Sequence, residues 1–167
     1  MNSSSHQVNA IYVIGPSSTG KTTLCDAVAS ALRLPSEAFV KEVAWTVMRE
    51  TGFSRRDVSV LAMQETILEA QIRREGQAAL FVEQQLDPTQ KLLLSDRSAI
   101  DPVIYACITA PTDEDAHGRK KALFARQDFS TDALPRYKAP NSRFFLLRPV
   151  EGWLTDDGVS SLGDHAR

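Results

Sequence analysis

Short apolar runs alternate with longer segments of helical spacing along this chain, and each apolar run has the length of a buried strand. The clearest runs are AIYVI, KLLLSD and SRFFLLRP, at 10–14, 91–96 and 142–149. A shorter run opens the segment 37–52, which then takes helical spacing and stops at Gly52. Strands separated by helices predict an α/β fold, with a parallel sheet and helices on both of its faces.

Apolar residues at helical spacing fill the segments between these runs. They predict helices at 20–34, 57–85 and 99–110. The second segment is long enough for one helix or for two that join near Gly76. The polar segment 111–121 predicts a connection between elements and not a helix.

The same pattern predicts how the chain is divided. We expect a polar tail over 1–9, one core domain over 10–149 and a lid-like loop over 150–167. After residue 149 no run of strand type is followed by helical spacing. We therefore expect the sheet to lack the last strand of a complete doubly wound domain.

Composition and charge restrict the class of protein further. The chain has 167 residues, of which 43% are hydrophobic and 24% charged, as in one soluble globular domain. Its net charge of -2 gives no general attraction to nucleic acid. We find no signal peptide and no apolar run near the roughly 18 residues that cross a bilayer. We expect a cytoplasmic protein without a membrane or nucleic-acid partner, in which Cys25 and Cys107 are buried, reduced thiols.

A glycine-rich loop, GPSSTGKT, joins the first strand to the first helix. Its spacing G-x-x-x-x-G-K-[ST], between a strand and a helix, is that of a phosphate-binding P-loop. Glycines let backbone N–H groups turn toward phosphate oxygens, and the helix N-terminus adds partial positive charge. We expect a nucleoside triphosphate to bind at Gly15, Ser17, Ser18, Thr19, Gly20, Lys21, Thr22 and Thr23.

Asp96 ends the second clear strand, KLLLSD. P-loop proteins place at such a position the carboxylate that orders Mg²⁺, while the hydroxyl at the end of the loop contacts the ion. We therefore expect Thr22 and Asp96 to form the metal site, with ATP and Mg²⁺ as cofactors. Two alternatives stay open. The first is that Asp96 caps the following helix, a role that Ser98 or Asp101 could equally take. The second is that the nucleotide is GTP and not ATP.

Other P-loop classes need features that this sequence does not have. A GTPase switch reads its base with Asn-Lys-x-Asp, which is absent, and the only D-x-x-G match, at 115–118, lies in a polar segment. A motor ATPase needs a further helical domain, for which a chain of this length has little room. A small phosphotransferase remains.

Asp96-Arg97-Ser98 resembles the D/E-R-S element of deoxyribonucleoside and thymidylate kinases. Together with FVKEVAW and DGVSSLG, at 39–45 and 157–163, it makes the chain similar to P-loop nucleoside kinases of the ribosylnicotinamide kinase type and their AAA relatives. The resemblance implies a nucleoside-like acceptor, with Glu42 as general base and Arg97 positioning acceptor and γ-phosphate. Lys21 and Asp96 complete the catalytic set, and Arg148 follows a strand where such kinases have a lid cation.

Two positions depart from that family pattern. Ser160 replaces the arginine that follows D-G-x, and Trp45 replaces the arginine of E-x-x-R. Both changes remove cations from a reaction that depends on charge neutralisation. Two alternatives to a kinase therefore stay open: a nucleotide-binding protein with little or no turnover, and an ATPase that depends on a partner.

Several aromatic residues also allow two interpretations. Trp45 and Trp153 either stack on a base or fill the core, whereas Tyr105 and Phe124 are expected in the core. Glu42 is either the general base or a first-turn glutamate favoured by the helix dipole. The acceptor and the oligomeric state stay open.

Overall fold

The computed structural model describes residues 8–87 and 91–150, in which strands and helices alternate. The strands are β1 (Asn9–Ile14), β2 (Phe39–Val40), β3 (Leu92–Asp96) and β4 (Ser142–Leu146). The helices are α1 (Lys21–Ala31), α2 (Ala44–Thr51), α3 (Leu61–Glu83), α4 (Ile100–Ile108), α5 (Asp113–Ala125) and α6 (Leu134–Tyr137). Each strand predicted from an apolar run is present.

These strands form a parallel sheet in the order β2-β3-β1-β4. Val13 of β1 pairs with Asp96 of β3, and Ser95 pairs with Val40 of β2. Because parallel strands share a direction, their carboxyl ends meet at one edge of the sheet. The P-loop and the segments carrying Glu42 and Arg97 all leave the sheet at this edge.

Helices cover both faces of the sheet, which confirms the predicted α/β class. Successive residues of β1 face opposite sides because side chains alternate along a strand. Tyr12 belongs to the larger core cluster, together with Leu68 of α3. Val13 belongs to a smaller cluster, in which it packs with Cys25 of α1.

The prediction of a polar connection over 111–121 is wrong, because α5 spans Asp113–Ala125. Thr112 caps this helix by accepting a hydrogen bond from Asp115 N at 3.1 Å. Acidic residues also fill its first turn, where they interact favourably with the helix dipole. Capping and charge thus start a helix that has little apolar periodicity.

Helix boundaries differ from the predictions in two other places. The long helix is continuous through Gly76 but begins at Leu61, because Ser54 caps a separate short turn at Arg55–Asp57. Helix α1 ends at Ala31, before the predicted stop at Pro35, and Arg33 leaves it with a φ of +51°.

Burial in the core, one of the two interpretations of Trp45 and the expectation for Phe124, is wrong for both residues. Trp45 is 47% exposed, and the Arg55 guanidinium lies 4.4 Å from the centre of its ring. Phe124 is 37% exposed at the surface of α5. Cys25 is buried as expected, and Cys107 is only partly buried.

Some predictions fall outside the described residues. They are the tail over 1–7, and the lid-like loop from 151 onward with Trp153, Ser160 and any strand after β4. Among the helices that the structure does describe, none has the length and apolarity needed to cross a membrane.

Candidate functional site

The loop between β1 and α1 depends on two glycines. Gly15 has a φ of +142° and Gly20 a φ of +82°. Residues with a Cβ rarely adopt such φ angles. A Cβ on Gly15 would overlap the carbonyl oxygen of Leu147, which follows β4. Gly15 is therefore required both by its backbone conformation and by the close approach of a neighbouring chain segment.

Lys21 folds back over this loop and is only 4% exposed. Its Nζ donates hydrogen bonds to the carbonyl oxygen of Pro16 at 2.5 Å and to Thr19 Oγ1 at 3.4 Å. Burial and then the nearby Arg97 charge lower the pKa of Lys21. Its amino group thus lies among loop oxygens, at the place where a P-loop lysine meets phosphate oxygens.

Thr22 lies in the first turn of α1 and contacts the end of β3. Its Oγ1 donates a hydrogen bond of 2.6 Å to Asp96 Oδ2. Asp96 is fully buried, and its other oxygen, Oδ1, has no hydrogen-bond partner among the described residues. Burial raises the pKa of Asp96, while the Thr22 hydrogen bond and the Arg97 and Lys21 charges oppose that rise.

Residues other than Asp96 make the side-chain hydrogen bonds at the start of α4. Ser98 Oγ accepts a hydrogen bond from Ile100 N, and Asp101 Oδ2 accepts bonds from both Ser98 N and Ser98 Oγ. Of the two arrangements that the sequence leaves open, the structure has the one in which Asp96 turns toward the P-loop.

These oxygen atoms suit a small hard cation. Mg²⁺ takes few protein ligands and completes its coordination with phosphate oxygens and water. A buried carboxylate oxygen without a partner, beside the Thr22 hydroxyl, matches that requirement. No group of three or more His, Cys, Asp or Glu side chains able to hold a metal occurs in the described part of the chain. Thr22 and Asp96 would hold the ion together with the nucleotide, whose phosphate charge it would offset.

Arg97 follows Asp96 and connects the P-loop to the neighbouring segments. Its Nε donates to Glu42 Oε1 at 2.7 Å, its Nη1 to Asp101 Oδ1 at 3.4 Å and its Nη2 to Ser17 Oγ at 3.5 Å. Burial alone would lower the pKa of Arg97, but the Glu42 and Asp101 carboxylates outweigh it and raise that pKa overall. One cation therefore lies between a carboxylate after β2 and a serine of the loop.

Tyr105 belongs to this group of residues, and the expectation that it lies in the core is wrong. Its hydroxyl is 3.0 Å from Ser17 Oγ, and the Arg97 guanidinium lies 6.0 Å from its ring centre. Sequence analysis missed Tyr105 and the contact of Asp101 with Arg97. Part of the signal was present: Asp101 and Tyr105 are four residues apart, which places them on one side of α4, and Arg97 precedes that helix.

Two predicted residues lie at the rim of the site. Thr23 is exposed in the first turn of α1. Arg148 is exposed after β4, next to Leu147, whose N–H donates to Ile14 O at 2.9 Å. The chain around Arg148 therefore passes the start of the P-loop.

A parallel sheet whose β1 leads through this loop into α1 defines a P-loop nucleotide-binding protein. The comparison with family models agrees: the model described as an AAA domain matches residues 10–167, nearly the whole chain. The chain belongs to this AAA domain family. No curated protein and no solved structure matches it.

Proposed function

We propose that this AAA domain protein transfers the γ-phosphoryl group of Mg²⁺-ATP to a hydroxyl of a nucleoside-like small molecule. The observation that carries the proposal is the position of Arg97, whose guanidinium contacts Glu42 on one side and Ser17 of the P-loop on the other. Phosphoryl transfer needs a base near the acceptor and a cation near the transferred group. The resemblance to ribosylnicotinamide-type kinases supports the same reaction.

Each residue has a distinct role in this proposal. Lys21 binds the β- and γ-phosphates, and Thr22 and Asp96 hold Mg²⁺. Glu42 takes the proton of the acceptor hydroxyl while the oxygen of that hydroxyl bonds to the γ-phosphorus. The bond from that phosphorus to the β-phosphate oxygen breaks, and ADP leaves. Arg97 offsets the charge that develops on the transferred group.

ADP release from Mg²⁺-ATP, measured with a panel of nucleosides that includes nicotinamide riboside, tests the proposal. We expect release with one acceptor class and none in Lys21→Ala. Glu42→Gln is expected to lower kcat by about 10²–10⁴-fold, the usual contribution of a general base. ATP binding, measured by calorimetry, should survive that substitution.

Glu37→Gln is the matched control. Glu37 lies just before β2, is exposed, and bonds with Ser36, so its loss should leave turnover unchanged. Equal losses in Glu42→Gln and Glu37→Gln would contradict the role of Glu42. ATP hydrolysis that needs no acceptor but needs an added protein would contradict the kinase proposal and indicate a partner-dependent ATPase.

A second candidate is a nucleotide-binding protein with little turnover. The departure at Trp45 favours it, since a half-exposed aromatic ring stands where the family pattern has a cation. Its signature is ATP binding that raises the Tm of the wild type, but not of Lys21→Ala, without ADP release for any acceptor.

A further inference from the structure

A network of buried polar side chains lies behind the candidate site. Glu75 of α3 is fully buried, and its carboxylate accepts three kinds of donor. Tyr137 OH donates to it at 2.8 Å, Arg136 Nη2 at 3.0 Å and Gln71 Nε2 at 3.0 Å. Glu75 is thus held from α3 and α6 at once.

Two members of this network also bind the segment that carries Arg97. Gln71 Nε2 lies 3.1 Å from Ser95 Oγ and 3.4 Å from the carbonyl oxygen of Arg97. The Tyr137 hydroxyl accepts a hydrogen bond of 2.7 Å from Ala99 N. The single proton of that hydroxyl is donated in the hydrogen bond to Glu75, and its oxygen accepts the hydrogen bond from Ala99 N. The network therefore forms hydrogen bonds with the 95–99 segment on both sides of Arg97.

This segment needs support because of its backbone conformation. Arg97 has a φ of +79°, in the left-handed region that residues with a Cβ rarely enter. Such a conformation persists where the surroundings fix it, and functional sites are where it is most often found. The Arg97 N–H donates to Val13 O at 3.0 Å, which fixes one point, and the network fixes the residues before and after it.

Stability alone does not account for a buried charge at this place. Taking Glu75 and Arg136 out of water is costly, and such pairs are weak evidence for a stabilising role. Specific orientation of a neighbouring group is the other use of a buried polar network.

We propose that Gln71, Glu75 and Tyr137 are positioning residues, which hold the 95–99 segment so that the Arg97 side chain reaches both Glu42 and Ser17. The effect of this network on rate rests on the proposed phosphoryl transfer, whereas its effect on Arg97 does not. The two are therefore tested by separate measurements.

The first measurement is the solvent exchange rate of the Arg97 Nε–H proton by NMR, assigned from its loss in Arg97→Lys. Tyr137→Phe keeps the ring but leaves Ala99 N–H without its acceptor. We expect exchange to accelerate by at least about fivefold, the lower end of the effect of an unpaired buried donor. Gln71→Met, which removes the other contact to the segment, should act in the same direction.

The second measurement is turnover with the acceptor that the ADP-release assay identifies. In Tyr137→Phe we expect kcat to fall about tenfold, while the Kd for Mg²⁺-ATP changes by less than about twofold. The reason is that a displaced Arg97 stabilises the transferred group less well in the transition state. If the wild type shows no turnover, the kinase proposal fails while the exchange measurement still decides the role of the network.

Phe129→Leu is the matched structural control. Phe129 is buried and its ring packs 6.4 Å from that of Tyr137, yet it belongs to the core and not to the polar network. We expect a lower Tm with unchanged Arg97 exchange. Wild-type exchange in folded Tyr137→Phe and Gln71→Met would overturn the proposal, and so would equally fast exchange in Phe129→Leu.

Discussion

Gly15 and Gly20 bracket the same loop, and the structure predicts different costs for replacing them by alanine. Both have a positive φ, of +142° and +82° respectively. A Cβ on Gly20 would meet nothing within 4 Å. A Cβ on Gly15 would overlap the Leu147 carbonyl oxygen, which belongs to backbone and cannot rotate away. Gly20→Ala is therefore a matched control for the steric part of Gly15→Ala.

The two costs follow from these contacts. A left-handed conformation in a residue with a Cβ costs about 1–2 kcal/mol, which is the whole effect expected for Gly20→Ala. Gly15→Ala also pushes Leu147 away and weakens the hydrogen bond from Leu147 N to Ile14 O, which is 2.9 Å long. We expect about 2–4 kcal/mol in total for Gly15→Ala, since a lost hydrogen bond adds about 1 kcal/mol to the backbone cost. In a chain of this size that lowers Tm by about 5–15 °C.

Urea unfolding without nucleotide measures both variants against the wild type, with a common m-value as the check that the unfolded states are comparable. Equal destabilisation by the two substitutions would refute the reasoning, because it would mean that Leu147 yields at no cost. A larger effect at Gly20 would refute it as well.

Two other substitutions test the candidate metal site and the long helix α3. Burial raises the pKa of Asp96 above its ordinary 3.8, so the native state binds its proton more tightly and the contribution of Asp96 to the free energy of unfolding falls as pH rises above that value. Asp96→Asn should flatten this fall in urea titrations at several pH values, and Mg²⁺ should no longer increase the ATP-induced rise in Tm; an unchanged pH profile would contradict the argument. Gly76→Ala, inside α3 where a Cβ meets nothing within 4 Å, should stabilise by about 0.5–1 kcal/mol and leave ATP binding unchanged.

The phosphate side of the site was predictable because its signals are local. The loop spacing, the strand before it and the helix after it all lie within 10–34. The position of Asp96 near the P-loop could be predicted because a buried strand ends at that residue. The alternation of strands and helices predicts a parallel sheet, in which the carboxyl ends of the strands meet at one edge.

Helix α5 was missed for a different physical reason. Periodicity of apolar residues detects helices that bury one face, and 111–121 has few apolar residues to show it. The signal that did exist was the cap, Thr112 followed by three acidic residues. Capping residues therefore predict this helix where hydrophobicity does not.

The residues around Arg97, which the proposed reaction places on the acceptor side, are brought together by tertiary contacts. Glu42 and Arg97 are 55 residues apart in the chain, and Tyr137 is 62 residues from Glu75. The burial of Glu75 could not be predicted from its own helix, because its partners Arg136 and Tyr137 come from α6.

This division has a consequence for function. The phosphate side is formed by backbone and by residues adjacent in sequence, so a motif is enough to infer that a nucleotide binds. In the proposed reaction the acceptor side would be formed where the 95–99 segment, the chain after β2 and α4 meet, beside a left-handed arginine whose segment is hydrogen-bonded to α3 and α6. Substrate choice depends on such shape and on the few polar groups that face it. Nucleotide binding could therefore be inferred from sequence, whereas the acceptor of the proposed reaction must be sought by measurement on the folded protein.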